Sequence, residues 1–316
     1  MHYIETLGKT FTAPENWDEI TLQQALFLIR LMNSGKEYDE VMFRLAVEFF
    51  RLPTGELTRF KYSRKNRYRD YCADLLTATE PLFEFLFEKK GQKTVQTQPE
   101  TQEVNPPPSE EQEEVLVIAK KLTRQLLPEH NGLYGPSAGL SNVKIWEFTM
   151  AETAFMEIVE TKNRTSQIAN RTSLDKLIAT LYRPMRSDGE AWRASDSYDL
   201  DDRRVFNDHL IERDMLLVKD WQQEIKELIF LFFFSCREAL QTQFPKIYKN
   251  RLKKKGGKSA SWADIILQQA REEKKEAEQI AERNLLLFLR QRELDIEDAE
   301  YQQDEMEKIT NKNKRN

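Results

Sequence analysis

The clearest candidate for a chemical motif is Gly256-Gly257-Lys258-Ser259, which contains the Gly-Lys-Ser end of a phosphate-binding loop. That motif requires a further glycine five positions before its Gly-Lys pair. The residue at that position is Leu252, and lysines rather than a buried strand precede the glycines. The segment therefore predicts a flexible basic hinge rather than a nucleotide site.

Metal binding and nucleophilic catalysis have few candidate residues in this sequence. His2, His130 and His209 are scattered, and no pair of cysteines has zinc spacing. Cys72 and Cys236 lie in apolar helical patterns, which predict reduced core thiols rather than activated nucleophiles. We therefore expect no catalytic residue, no cofactor and no metal, and we expect the chain not to be an enzyme.

A basic segment alternates with aromatic residues between Arg59 and Arg69. Its cationic residues are Arg59, Lys61, Arg64, Lys65, Arg67 and Arg69. Such a pattern can contact phosphates and stack on bases, or it can form a solvated helix face or a dock for an acidic protein. The net charge of −5 argues against general nucleic-acid binding.

The elements that would carry these residues are predicted to be α-helices. Leu, Glu, Lys, Gln and Arg dominate, glycine is scarce at 10 residues, and Asn-Gly hairpin signals flanked by alternating strands are missing. A length of 316 residues predicts about two domains. The expected fold is all-α, with two helical domains joined by an acidic Pro-rich linker and a long C-terminal helix.

The strongest helical signal is the stretch Trp221–Phe244, whose middle, Leu228–Phe234, is uninterrupted apolar sequence. A helix that is apolar on every side must be buried on every side. The run is too short for the roughly 20 residues that span a bilayer. It predicts the central helix of a domain, with no membrane span.

The predicted domains have four parts. Residues 1–90 form an N-terminal helical domain, residues 91–112 a disordered linker, residues 113–255 the helical core domain, and residues 256–316 a basic hinge, a long charged helix and a tail. The first 20 residues are expected to be irregular before a capping box at Thr21 and Gln24. A helix is expected to resume at Glu113, after the linker.

The last helix is expected to start at a Ser261–Asp264 capping box and to continue to about Asp295. It carries apolar clusters at both ends of a charged middle. The candidate partner-binding residues are Trp262, Ile266, Leu285, Leu286, Leu287, Phe288 and Leu289. Because five consecutive apolar residues span more than one face, either they dock within the chain or they await a partner.

Two stretches carry a family resemblance: FTAPENWDEITLQQALFLIRLM at residues 11–32, and GLSNVKIWEFTMAETAFMEIVETKN with LDKLIATLYRP within residues 139–184. Both resemble segments of phage and prophage proteins of Bacteroidetes-type hosts. The proteins they resemble are tail-assembly or virion-morphogenesis proteins of the tail-assembly-chaperone type. The resemblance implies a helical, non-enzymatic protein that binds a tape-measure protein, and it assigns no functional residue by position.

The expected function is therefore that of a phage assembly factor which binds a helical partner in the cytoplasm of a bacterial host. Two other functions fit the same sequence: a structural tail or neck component associated with the virion, and a nucleic-acid-binding accessory protein that uses Arg59–Arg69. The sequence indicates no oligomeric state.

Overall fold

This computed structural model describes residues 1–55, 57–58, 65–90, 115–162, 167–251 and 260–313. It is 64% helix and 9% strand, which confirms a mainly helical protein and adds short hairpins that the all-α prediction lacked. The chain divides into two compact units, Met1–Lys120 and Lys121–Asn316.

Unit 1 combines helices with two pairs of antiparallel strands. Its elements are β1 (His2–Thr6), β2 (Lys9–Ala13), α1 (Leu22–Met32), α2 (Tyr38–Phe49), α3 (Lys65–Thr79), a 3-10 helix (Pro81–Leu86), β3 (Phe87–Lys90) and β4 (Val115–Ile118). Phe83 is fully buried, with Phe49 and Phe50 at ring distances of 5.5 and 5.8 Å. These aromatic contacts join α2 to the 3-10 helix.

The first residues form an antiparallel hairpin instead of the expected irregular segment. His2 pairs with Ala13 and Thr6 with Lys9 across the turn at Leu7 and Gly8. Both turn residues have positive φ, 51° and 71°, as a two-residue type I′ turn requires. Because leucine rarely adopts such a φ, the turn gives a weak sequence signal.

The segment after the Pro-rich stretch is a strand, so the prediction of a helix that resumes at Glu113 was wrong. Val115–Ile118 pairs antiparallel with Phe87–Lys90. Three of its four residues are β-branched, which favours a pleated, half-buried strand over a helix. Residues 91–112 lie outside the described residues, but both strands that flank them belong to unit 1. The unit boundary near Lys120 therefore differs from the linker boundary that we expected.

Unit 2 is built mainly from helices. Its elements are β5 (Glu129–His130), β6 (Leu133–Tyr134), α4 (Ile145–Lys162), α5 (Gln167–Leu181), α6 (Gly189–Arg193), α7 (Ile211–Val218), α8 (Gln223–Gln243), α9 (Pro245–Arg251), α10 (Trp262–Glu273), α11 (Ala277–Ala281) and α12 (Leu285–Asn313), with 3-10 turns at Ala138–Leu140 and Asp208–Leu210. Asn131 and Gly132, with φ of 52° and 77°, form the turn between β5 and β6. This Asn-Gly hairpin was missed because each strand is only two residues long.

The predicted central helix is α8. Phe233 is fully buried and contacts two aromatic residues of α4, Phe148 at 5.9 Å and Phe155 at 5.8 Å between ring centroids. Lys226 is also buried, and its Nζ lies 2.5 Å from Asp175 Oδ1 on α5. Helix α8 is thus the core helix of unit 2, as its apolar sequence predicted.

Candidate protein-binding surface

The expected single C-terminal helix is divided into α10, α11 and α12. The Ser261–Asp264 capping box begins α10 as predicted, with both reciprocal hydrogen bonds present. Lys274 then ends α10 in the left-handed conformation, at φ 54° and ψ 43°. A residue in the left-handed conformation commonly ends an α-helix, and that residue is usually glycine. At the end of α10 it is a lysine. The helix was also expected to stop near Asp295, whereas α12 continues to Asn313.

Helix α12 begins at a backbone contact with the start of α4. The N–H of Leu285 donates to the Val143 carbonyl at 2.8 Å, and the N–H of Ile145 donates to the Arg283 carbonyl at 2.9 Å. These two hydrogen bonds fix the start of α12 relative to α4.

Asn284 caps α12. Its Oδ1 accepts hydrogen bonds from the N–H groups of Leu286 at 3.0 Å and Leu287 at 3.3 Å. Such a side chain satisfies amide groups that have no partner within the helix. The cap fixes the residue at which α12 begins, and so it determines which faces its leucines occupy.

Most of the predicted partner-binding residues lie in the core of unit 2. The buried ones are Trp262, Ile266, Leu285, Phe288 and Leu289. Trp262 packs against Phe148 of α4, with ring centroids 5.4 Å apart. These side chains dock within the chain, the first of the two alternatives, and are therefore not available as an exposed binding surface. Leu286 is half-buried, and Leu287 is 72% exposed.

Leu287 belongs instead to an apolar stripe along α12, which we define as Leu287, Leu294, Tyr301 and Ile309. These side chains are 72%, 37%, 67% and 59% exposed, respectively. The first three are spaced seven residues apart, so successive side chains are rotated by only about 20° around the axis. Ile309 follows eight residues after Tyr301 and keeps the stripe within an arc of about 80°. Exposed Met306 lies next to this arc.

The other side of α12 faces its own unit. Glu293 is buried, and its carboxylate oxygens accept the N–H groups of Lys246 and Ile247, each at 3.1 Å. These two amides lie at the N-terminus of α9, where the first N–H groups have no acceptor within the helix. The Glu293 carboxylate accepts their hydrogen bonds and is favoured there by the helix dipole. Lys246 Nζ in turn lies 2.8 Å from Glu300 Oε2. The first half of α12 is thus held against unit 2 by packing, hydrogen bonds and an ion pair, while the apolar stripe faces away from the rest of unit 2.

Tyr301 and Ile309 were missed because their region was expected to be a charged tail, and Leu294 was missed because it lies in the expected helix but outside the apolar clusters at its two ends. The seven-residue spacing of Leu287, Leu294 and Tyr301 was the signal that could have identified them. Single apolar residues surrounded by carboxylates contribute little to a local hydrophobic average, so this signal appears only when the helix is extended past Asp295.

The other candidate residues divide between described and undescribed parts of the chain. Arg59, Lys61, Arg64 and the segment Gly256–Ser259 lie outside the described residues. Lys65 begins α3, and Arg67 and Arg69 are exposed on that helix. The structure therefore leaves the polyanion hypothesis as a prediction.

The two cysteines differ in environment. Cys236 is buried, and burial raises the pKa of its thiol to about 12. Because the thiolate is the reactive form, Cys236 is unreactive near neutral pH, and its prediction as a core thiol is confirmed. Cys72 is only partly buried on α3.

A buried charge cluster connects α4 with the segment that follows α5. Arg183 Nη1 and Arg203 Nη1 each lie 2.9 Å from Glu147 Oε1, and Arg203 Nε lies 2.8 Å from Asp201 Oδ1. Burial lowers the pKa of Arg183, whereas the Glu147 carboxylate acts in the opposite direction. Two cations and two anions balance one another here, so the cluster fastens this segment to α4.

A groove of about 690 Å³ lies between α4, α5 and α7. Its apolar lining comes from Met150, Ile211, Met215 and Leu216. The ion pair Lys176–Glu157, at 3.2 Å, lies on its wall and connects α5 with α4. Asp175 of the same wall also pairs with buried Lys226 of α8 at 2.5 Å. The groove is a second apolar surface of unit 2, on elements other than α12.

Comparison of the chain with protein-family models, with curated proteins and with solved structures found no match. Within the described part of the chain, no helix combines the length and apolar character needed to cross a membrane. Among the same residues, no group of three or more His, Cys, Asp or Glu side chains could hold a metal ion.

Proposed function

We propose that this protein is a non-enzymatic assembly factor that binds a helical protein partner, of the tail-assembly-chaperone type found in tailed phages. It would act in the cytoplasm of a bacterial host and hold an aggregation-prone segment, such as that of a tape-measure protein. The phage assignment rests on the resemblance of residues 11–32 and 139–184. The binding assignment rests on the apolar stripe of α12.

The apolar stripe supports binding because its residues are aligned rather than scattered. Single exposed apolar side chains are normal on a protein surface. Here, four large side chains share one face between Leu287 and Ile309, a distance of about 33 Å at 1.5 Å per residue. Apolar anchors at helical spacing are the means by which one helix recognises another or a groove.

The binding assignment can be tested by replacing the stripe without changing the core. The triple variant Leu294→Gln, Tyr301→Gln and Ile309→Gln removes the apolar side chains and keeps good helix formers. Tagged full-length protein and the variant are purified from cells that also produce phage particles, and the proteins that co-purify are identified by mass spectrometry. We expect a helix-rich partner with the native chain and its loss with the variant.

A matched control is the double variant Leu216→Gln and Leu217→Gln on α7, where both leucines are exposed. We expect this variant to keep the partner. Loss of the partner in the control alone would place the contact on α7 and its groove. Unchanged co-purification with the triple variant would refute the apolar stripe as the binding surface.

An assembly factor and a structural tail or neck component differ in whether the protein is present in the mature particle. Mass spectrometry of purified particles measures its abundance relative to a known virion protein. We expect an assembly factor to be absent or far below stoichiometric amounts. A fixed stoichiometric presence in mature particles would instead establish the structural alternative.

A further inference from the structure

The part of α12 that carries the apolar stripe is strongly acidic. Between residues 293 and 307 the sequence contains eight carboxylates and no lysine or arginine. The carboxylates are Glu293, Asp295, Glu297, Asp298, Glu300, Asp304, Glu305 and Glu307. A surface of one charge sign selects partners of the opposite sign and repels those of the same sign.

Several of these carboxylates are already used inside unit 2. Glu293 caps α9, while Glu297 and Glu300 lie 3.7 and 2.8 Å from Lys246 Nζ. Asp295 accepts a hydrogen bond from Gln291 at 2.8 Å. These four belong to the internal contacts of α12, so they do not define what binds to its exposed side.

Two of the remaining carboxylates lie within the apolar stripe itself. Asp298 is four residues after Leu294 and three before Tyr301, and Glu305 is four residues from both Tyr301 and Ile309. Residues three and four apart are neighbours on a helix surface. Any helix that covers the apolar anchors therefore also covers Asp298 and Glu305.

Glu305 has a local counterion that a partner could replace. Lys308 Nζ lies 2.8 Å from Glu305 Oε1, and the lysine side chain is 70% exposed. An exposed ion pair of this kind contributes little to stability, because water screens both groups. A partner that excludes water from Asp298 and Glu305 would therefore have to place its own cations opposite these two carboxylates.

A second copy of this chain does not meet that requirement. In a parallel pair, Asp298 would face Asp298 and Glu305 would face Glu305. In an antiparallel pair centred on this region, the same acidic segment would face itself. Both arrangements place like charges together in the seam, which is destabilising.

We propose that the apolar stripe of α12 binds a basic amphipathic helix, with apolar anchors along one face and lysine or arginine beside them. This inference rests on the proposed function and specifies the chemistry of the partner. The partner's apolar side chains cover Leu294, Tyr301 and Ile309, and its cations pair with Asp298 and Glu305.

The test uses the full chain and two synthetic labelled helical peptides of three heptads. Both carry the same apolar a and d positions, and their e and g positions carry lysine in one peptide and glutamate in the other. Binding is measured by fluorescence anisotropy at low and high salt. We expect the lysine peptide to bind at least about tenfold more tightly, with an advantage that shrinks as salt screens the charges.

Variants locate the effect on α12. Asp298→Asn with Glu305→Gln should weaken lysine-peptide binding by about tenfold, the loss expected for two paired charges. The matched control, Glu190→Gln with Asp196→Asn, removes the same net charge from exposed positions elsewhere in unit 2. This control should bind like the native chain.

The outcomes separate this inference from the proposed function. Equal binding of both peptides, lost in the triple glutamine variant, would overturn the basic partner and keep helix binding. If neither peptide binds, both the basic partner and helix binding at the apolar stripe would be overturned. A dimer of the free chain that sedimentation velocity detects, and that the triple glutamine variant lacks, would show that a second copy covers the stripe.

Discussion

At the scale of single residues, burial decides what each charged group can do. Glu147 is fully buried and bonded to Arg183 and Arg203, whereas Asp188 makes a comparable bidentate contact with Arg186 on the surface. Removing one partner of a buried pair leaves an uncompensated charge in a poorly solvated site. The same removal at the surface leaves a charge that water stabilises.

Glu147→Gln should therefore lower the free energy of unfolding by about 3–5 kcal/mol. Asp188→Asn, which makes the same chemical change on an exposed pair, should lower the free energy of unfolding far less, because water solvates both groups. Urea denaturation followed by tryptophan fluorescence measures both values. Similar costs for the two variants would show that the cluster of Glu147 is not a buried network.

At the scale of elements, local hydrogen bonds determine where helices begin. The two capping boxes expected at Thr21 and Ser261 are both present with their reciprocal bonds. At the second, Ser261 Oγ accepts the N–H of Asp264 at 3.1 Å, and Asp264 Oδ2 accepts the N–H of Ser261 at 3.0 Å. Four residues are enough to specify such a motif, so its prediction needs no knowledge of the tertiary fold.

Ser261→Ala should destabilise the protein by about 0.5–2 kcal/mol, because the start of α10 loses its side-chain acceptor. Ser261→Asn, which keeps an acceptor at the same position, should cost only a fraction of that. Thermal unfolding by circular dichroism compares the two variants. An alanine variant as stable as the native chain would mean that the cap contributes nothing to the stability of α10.

At the scale of the whole molecule, unit 2 contains its own core. Its aromatic contacts join α4, α8 and α10, and its charge cluster joins α4 to the segment beyond α5. The core helix α8, its main packing partners and the start of α12 all lie after Lys121. A unit whose apolar faces are buried internally can fold as an independent domain.

A fragment of residues 121–316 should accordingly fold without unit 1. We expect helical circular dichroism and a cooperative thermal transition, since the contacts that bury Phe233 are retained. Phe233→Asp in the same fragment is the control that should abolish the transition, because it buries an unpaired charge. A fragment that unfolds without cooperativity would show that unit 2 depends on unit 1.

The sequence by itself determined the mainly helical composition, the two capping boxes and the core position of α8. Each of these follows from an interaction within a few residues or from a continuous apolar run. The strands β3 and β4 were not predictable in the same way, because their pairing joins residues separated by the long Pro-rich stretch.

Only the tertiary structure decided which apolar residues of the C-terminal region are exposed. Leu285, Phe288 and Leu289 are buried against unit 2, while adjacent Leu287 is not. This difference depends on the Asn284 cap and on the backbone contact of α12 with α4, which together set the rotation of the helix. A run of leucines specifies that some face is apolar, but only packing determines which face is covered.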